Sequence, residues 1–446
     1  MKQSSTDFSQ GSIRRHILNQ AIPLTLAQIV QLLYNIVDRI YIGHLEGVGD
    51  LALTGLGISF PVIVIIAAFT GLFSSGGATL FSIARGKQED DEAAYLLGNA
   101  FTLLMLGAVV LFGVFYIFRV PVLYLFGASS QSIGYAESYL AVYLWGTVFS
   151  MLTTGLNSFI NAQGFPKTGM LTTFFGAGCN ILLDPIFIFV MDMGVIGAAL
   201  ATVLSQMLSA LWVLRFLTGK KALIPLRRNY LNLRRTKAIV TLGIPGFVVQ
   251  ATNSLVSIVC NNQLQAYGGD LYVGIMTVIN SIREMASLPV SGITHGAQPV
   301  LGYNYGAKEF HRLKEGIRFM TLLGGSYTLF IWVLILCIPR QLMGIFTEDA
   351  QIITTGARML NIYFFGFVFL ACQFCGQSTF QSLGRAKQAV FFSLLRKAFI
   401  VVPLTLLLPG LGFGVEGVFL AEPISNAIGG LACFLTMYFT VYRKLY

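Results

Sequence analysis

Runs of about twenty apolar residues recur along the chain, and no other feature limits its fold as strongly. Ala100 to Phe118, Ala238 to Cys260 and Met320 to Ile338 are three of them. A helix needs about 20 predominantly apolar residues to cross the hydrocarbon layer of a bilayer. In lipid every backbone polar group must be satisfied internally, which leaves helices and closed barrels. Barrel strands alternate in short segments, whereas these runs are continuous. They predict an all-α polytopic membrane protein. Charge agrees: 11% of the 446 residues are charged, against about 25% in a soluble domain. That is too little polarity to wet a soluble fold of this size.

The runs place twelve transmembrane helices, at about 16–42, 51–84, 94–118, 133–160, 168–190, 195–218, 238–266, 272–304, 314–338, 352–381, 387–409 and 414–441. The first holds Pro23, Gln28, Gln31, Asn35 and Asp38 and runs too long for the apolar region of a signal peptide, so it reads as a spanning helix. Basic residues fall in alternate loops. Lys2, Arg14 and Arg15 precede the first helix, Arg85 and Lys87 follow the second, and Lys167 follows the fourth. Lys220, Lys221, Arg227, Arg228, Arg234, Arg235 and Lys237 crowd the centre. Lys308, Arg312, Lys314 and Arg318 follow the eighth, Arg385 and Lys387 the tenth, and Arg443 and Lys444 close the chain. The opposite loops hold only Arg119 and Arg340. This is the positive-inside pattern. It puts both termini in the cytoplasm, and it explains the net charge of +10 by topology rather than by nucleic acid.

The chain repeats at an offset near 220. Ile22-Pro23 recurs as Ile244-Pro245 and Gln28 as Gln250. Tyr143, Gly146 and Phe149 recur as Tyr363, Gly366 and Phe369. Gly164 and Lys167 recur as Gly384 and Lys387, and Gly194, Gly197 and Ala201 as Gly414, Gly417 and Ala421. Two pseudo-symmetric six-helix bundles follow: 1–218 as the first lobe, 219–237 as a basic cytoplasmic linker, and 238–446 as the second lobe. Six helices per half bring both halves in from the same side, as in transporters built from parallel repeats. Such halves can rock to open a cavity to alternate sides. A channel or receptor, or an enzyme, fits this duplication less well.

Several motifs carry no chemistry. Gly71 to Gly77 is glycine-rich but lies inside the second helix without a P-loop lysine, so close packing accounts for it. His16, His44, His295 and His311 are scattered. Cys372 and Cys375 form a C-x-x-C with no second pair. No cofactor is expected.

Ionisable groups in a spanning helix cost roughly 2.5–3.5 kcal/mol at its centre on insertion scales, so each is a functional candidate. Asp38 on the first helix and Asp184 on the fifth both sit on the order of 10 Å from the outer end of an outward-running helix, counting about 1.5 Å per residue. Matched depth lets them share one site. A carboxylate there can take a proton from outside and release it inside, or bind a sodium ion. Asn180 lies four positions before Asp184 and faces the same way. Asn35 lies three before Asp38 on the same face, a candidate substrate contact. Thr202 is at similar depth on the sixth helix. Structural alternatives exist: Arg39 can offset Asp38, and Asp184 can satisfy backbone freed by Pro185. Arg283, Glu284, Arg396, Lys397, Glu416 and Glu422 in the second half suit structural ion pairs better than transport. Cys260 stands where the repeat would place Asp38.

Tyr34-Asn35-Ile36-Val37-Asp38 and Asn180-Ile181-Leu182-Leu183-Asp184-Pro185-Ile186-Phe187 resemble signatures of the multidrug and toxic compound extrusion (MATE) family, nearest its DinF-type branch. Gly194 to Ala199 and the short loops at Gly86-Lys87 and Gly306-Ala307-Lys308 fit as well. The resemblance implies secondary export of cationic, amphipathic drugs by proton or sodium antiport with rocker-switch alternating access. It carries the cation site onto Asp38, Asn180 and Asp184, with Asn157 and Thr202 beside them and Tyr139 at its border; a sodium ion would sit on Asp38, Asn180 and Asp184. The expected setting is the inner membrane of a prokaryote, with a monomer facing lipid and small drug-like substrates. The alternative inside the superfamily is an exporter of lipid-linked or metabolite anions, which a cavity rich in basic residues would favour.

Overall fold

The computed structural model describes residues 7–43, 45, 49–226, 231–346 and 350–445; Lys2, His44, Arg227 and Arg228 lie outside them. The described residues are helical with no strand. In chain order the helices are α1 Ile13–Gly43, α2 Gly49–Gly86, α3 Asp90–Ile117, α4 Arg119–Leu125, α5 Ile133–Trp145, α6 Thr147–Ala162, α7 Pro166–Pro185 and α8 Gly194–Thr218. There follow α9 Leu233–Gly268, α10 Asp270–Gly306, α11 Phe310–Cys337, α12 Pro339–Gly344, α13 Ala350–Phe364, α14 Leu370–Ser382, α15 Ala386–Leu394, α16 Val402–Leu407 and α17 Gly414–Thr440.

Among the described residues, nine of these stretches are long and apolar enough to cross a membrane alone. Two bent pairs make two more spans: α5 and α6 meet at 56°, α13 and α14 at 42°. The breaks fall at Gly146 and around Gly366, equivalent points of the repeat. α10 is long enough at 37 residues, but Arg283 and Glu284 near its middle keep it out of the apolar set. With α10 the spans number the expected twelve. Two irregularities had no sequence signal. A wide-turned π segment, Ile186–Val190, continues α7, and another, Leu395–Val401, joins α15 to α16.

The chain divides into two compact units, one formed by 1–7 and 26–243, the other by 8–25 and 244–446. Neither boundary falls at the basic linker. The first three turns of α1 pack with the second unit, and the first three turns of α9 pack with the first. Glycines make both seams. A side chain at Gly76 on α2 would strike the backbone of Ile239 and Gly243; one at Gly296 on α10 would strike the backbone of Ala21 and Gln20. Gly76 and Gly296 are 220 positions apart, so the two units use the same close approach. Arg235 reinforces the first seam with two bonds to Glu92 on α3, at 2.9 and 2.6 Å. In the second unit, Asn304 and Arg312 donate to the carbonyl of buried Phe8 at 3.1 and 2.9 Å.

The linker itself docks on the first unit. The Gln163 carboxamide, fully buried, accepts from the amides of Leu223 and Ile224 and donates to the Ile224 carbonyl. The turn that presents it needs Gly164 at φ +89°, and its counterpart Gly384 sits at +73°. Glycine reaches that region at little cost.

Candidate functional site

The polar interior of the first unit gathers on α7 and α8. Asn180 and Asp184 are one turn apart on α7 and both buried. Asn180 Nδ2 donates to Asp184 Oδ1 at 3.2 Å and to Thr202 Oγ1 on α8 at 3.3 Å. One amide thus ties two helices together and fixes the orientation of the carboxylate. α1 brings in Asp38, 8% exposed, and Asp38 and Asp184 lie within electrostatic range of each other. From Asp38 to the end of α1 at Gly43, and from Asp184 to the end of the π segment at Val190, the chain rises about 8 and 9 Å at about 1.5 Å per residue. The two acids therefore stand at similar distances from the ends of their helices.

Three buried oxygens of this cluster have no hydrogen-bond partner: Asp38 Oδ1, Asp184 Oδ2 and Asn180 Oδ1. Buried acceptors are normally satisfied, and leaving one bare costs about 1–3 kcal/mol, more if it is charged. An excess of acceptors is the chemistry of a site for a proton or a hard cation, since sodium, like calcium and magnesium, is held by oxygens. Among the described residues no set of three or more His, Cys, Asp or Glu forms a metal site. A cation here would have to use the two carboxylates together with amide and hydroxyl oxygen.

The Arg39 guanidinium is exposed and lies over the Phe60 ring, 5.5 Å from its centroid; among the described residues no ion pair joins it to Asp38, and it acts on that carboxylate only through space. Asp184 bonds a side chain, Asn180, rather than backbone freed by Pro185.

Tyr139 is buried and within electrostatic range of both acids. Asn35 is exposed. Asn157 stands apart from the cluster. Its Nδ2 donates to the Gly169 carbonyl at 3.0 Å, and Gly169 is eleven residues before Asn180, about 16 Å along α7. α6 runs away from the cluster's level, so a residue near its far end cannot reach it. Two phenols complete the site without having been singled out. Tyr34 is in electrostatic range of Asp38 and Asp184 and accepts a bond from Gln31 at 2.9 Å; Tyr143 stacks on Tyr139 with centroids 5.9 Å apart. Each is four residues from a residue already chosen, Tyr34 from Asp38 and Tyr143 from Tyr139, and that helical spacing was the available signal.

A family model, MatE, matches residues 23–186 and 245–407, once in each half. The chain belongs to the MatE family. It is therefore a multi-pass membrane protein of a transporter family, not an enzyme. The multidrug export protein MepA of Staphylococcus saprophyticus is 24% identical over 439 residues, covering 97% of this chain and 95% of MepA. Among solved structures, a MATE protein crystallised in a bent conformation superposes with a TM-score of 0.92 at 23% identity, over 99% of this chain and 98% of that one. A MOP-superfamily transporter from Pyrococcus furiosus, noted for the reverse polarity of its binding pocket, superposes at 0.91 with 22% identity, over 99% of each chain. At these identities the superpositions speak for the MatE fold alone.

Proposed function

We propose that this MatE protein is a secondary multidrug exporter in which Asp38 and Asp184, with Asn180 and Thr202, bind the coupling ion. The observation that carries the reading is the three acceptor oxygens buried without donors. An ion entering from outside would satisfy them; its departure would leave them bare. Coupling needs the ion to bind one conformation more tightly than the other, and a site of bare oxygens supplies that difference if the helices holding it move during rocker-switch exchange. The two carboxylates, held at one depth, take either protons or one sodium ion shared with Asn180 Oδ1. The similarity to MepA supports drug-like substrates, and the aromatic border of Tyr34, Tyr139 and Tyr143 suits flat cationic ones. The protein would work as a monomer in the cell membrane with both termini cytoplasmic, the orientation favoured by its basic loops.

The test is efflux of a cationic dye from proteoliposomes under an imposed pH gradient and, separately, a sodium gradient. Asp38→Asn and Asp184→Asn should each lower gradient-driven efflux at least a hundredfold while the protein still elutes as a single species. Full efflux in both variants would remove the acids from the mechanism.

A further inference from the structure

The second unit opens a cleft where α1 begins, α11 begins and α17 ends, with a volume of about 510 Å³. Small-ligand sites run from about 300 to 1,000 Å³. Arg14 of α1, Lys314 and Arg318 of α11, and Tyr442 beyond α17 line it. One carboxylate is there too, Glu315, and Arg14 Nε already donates to it at 3.0 Å. Lys314 Nζ lies over the Tyr442 ring, 5.2 Å from its centroid. Among the described residues no carboxylate lies within ion-pair distance of Lys314 or Arg318. Three cations therefore share one carboxylate, and that one is engaged.

The course of α11 says what the cleft opens onto. His311, Glu315, Arg318 and Leu322 follow at steps of three and four, so they fall on one stripe of the helix. Leu329 and Val333 continue the stripe, and Leu322, Leu329 and Val333 are 59%, 48% and 47% exposed. On a spanning helix, exposed apolar side chains in a row face lipid. The cations thus stand at the polar end of a lipid-facing stripe, with Phe319 and Leu322 as the apolar foot of the cleft. Tyr438 and Tyr442 stack beside it, centroids 5.4 Å apart, as aromatic rings do at headgroup level. The fold does not require these cations. The repeat places Asp91, Ala94, Tyr95 and Gly98 at the corresponding positions of α3, none of them basic. The positive-inside pattern asks for basic residues near this end, but not that they converge on one cavity with an apolar foot.

We propose that this cleft binds the phosphate of an anionic phospholipid from the surrounding leaflet, with Lys314 and Arg318 as its contacts, Arg14 at the rim, and an acyl chain lying along Leu322 and Leu329. Ammonium and guanidinium groups make charge-assisted bonds to phosphate oxygens, and basic pockets between spanning helices on the cytoplasmic side suit such head groups. A zwitterionic lipid brings the same phosphate with a cation attached, which the charge of the cleft repels. The lipid is a resident ligand, not cargo. It ties the start of α1 to α11 and to the segment after α17, within the second unit. The proposal needs only that the chain spans a membrane, so it is independent of the roles of Asp38 and Asp184.

Full-length protein in a neutral detergent is titrated with dioleoyl phosphatidylglycerol and, separately, with dioleoyl phosphatidylcholine, and bound lipid is counted by native mass spectrometry. The anionic lipid should bind at least tenfold more tightly. Lys314→Gln combined with Arg318→Gln should bring the two lipids within about twofold of each other. Lys220→Gln combined with Lys221→Gln, which removes the same charge from the linker, should keep the preference. The wild-type chain locates the site without any variant. Phosphatidylglycerol carrying a diazirine near the start of one acyl chain should crosslink chiefly within 318–330 of α11, and a large excess of inorganic phosphate should leave that crosslink in place. Equal affinity for the two lipids, an equal loss in the linker variant, crosslinks that map elsewhere, or full displacement by free phosphate would overturn the proposal.

Discussion

The helix pair α7 and α8 in the first unit and its counterpart α15 to α17 in the second descend from one pattern and now hold opposite chemistries. Their packing is the same. Gly176 on α7 meets Ser209 on α8, and Arg396 meets Gly429 on α17, each partner 220 positions from its equivalent. Thr202 and Glu422 occupy matching positions. Around Thr202 the polar groups are neutral or acidic, and three acceptors lack donors. Around Glu422 cations predominate, and Arg283 Nε lacks an acceptor. The residues responsible have no echo across the repeat: Asp38 faces Cys260 in register, Arg283 faces Ile63, and Arg396 and Lys397 face Gly176 and Ala177. Duplication preserved the glycine seams, the mid-span bends and the turns, while the buried charges were placed independently in each copy. The shared features build the frame, so function is to be sought where the copies differ.

The largest expected effect separates the two by stability. Glu422→Gln leaves Arg396 and Lys397 buried without their counterion, and breaking a buried pair by removing one partner costs about 3–5 kcal/mol. Asp184→Asn removes a buried charge that no cation accompanies and keeps an oxygen for Asn180, so it should not destabilise the fold. Reversible unfolding of both variants in mixed micelles measures this. Equal losses would mean that Asp184 is as structural as Glu422, and the contrast between the units would collapse.

A smaller effect tests what the copies share. Gly76→Ala and Gly296→Ala each push a methyl group into backbone, at a cost of about 1–3 kcal/mol for an overpacked contact. The two losses should agree within about 0.5 kcal/mol, because each seam joins a mid-span helix to the first turns of the other half's leading helix. A one-sided loss would show that only one exchanged segment is held by close packing.

Much of this was legible in the sequence because the determinants are local or periodic. Length and apolarity marked the spans, alternate basic loops gave an expected orientation, and the offset near 220 exposed the repeat. Helical spacing joined Asn180 to Asp184, which are hydrogen-bonded. Three features were out of reach. The exchange of 8–25 and of the start of α9, 233–243, between units depends on contacts hundreds of residues apart, such as Gly296 against Ala21. The bends at Gly146 and near Gly366 leave no gap in the apolar pattern. Asn157 joins the expected site only through the family resemblance, and α6 holds it against Gly169 instead. Placing it requires knowing how far two antiparallel helices overlap, which sequence spacing alone does not record. The charges of the second half read as structural pairs; for Arg396, Lys397 and Glu422 the bonds are there, while Arg283 is the member without one.

The smallest effect bears on the ion itself. Thr202 Oγ1 accepts the second hydrogen bond of Asn180 Nδ2, and that bond holds Asn180 Oδ1 in place beside the carboxylates. Thr202→Val keeps the shape and removes the acceptor, a loss of about 1 kcal/mol for one hydrogen bond, or roughly fivefold in affinity. The half-saturating concentration of the coupling ion for dye efflux should rise by that factor, while the maximal rate at saturating ion stays within about twofold. Thr202→Ser, which keeps the hydroxyl, should restore the wild-type value. A purely structural threonine would instead lower the maximal rate in both variants or in neither, without moving the ion dependence. The matching change in the other copy, Glu422→Gln, has no reason to move that ion dependence at all, because its partners are Arg396 and Lys397 rather than the acceptors that await a cation. If both substitutions shifted it alike, the ion would be sensing the two units together, and the division of labour between them would have to be redrawn.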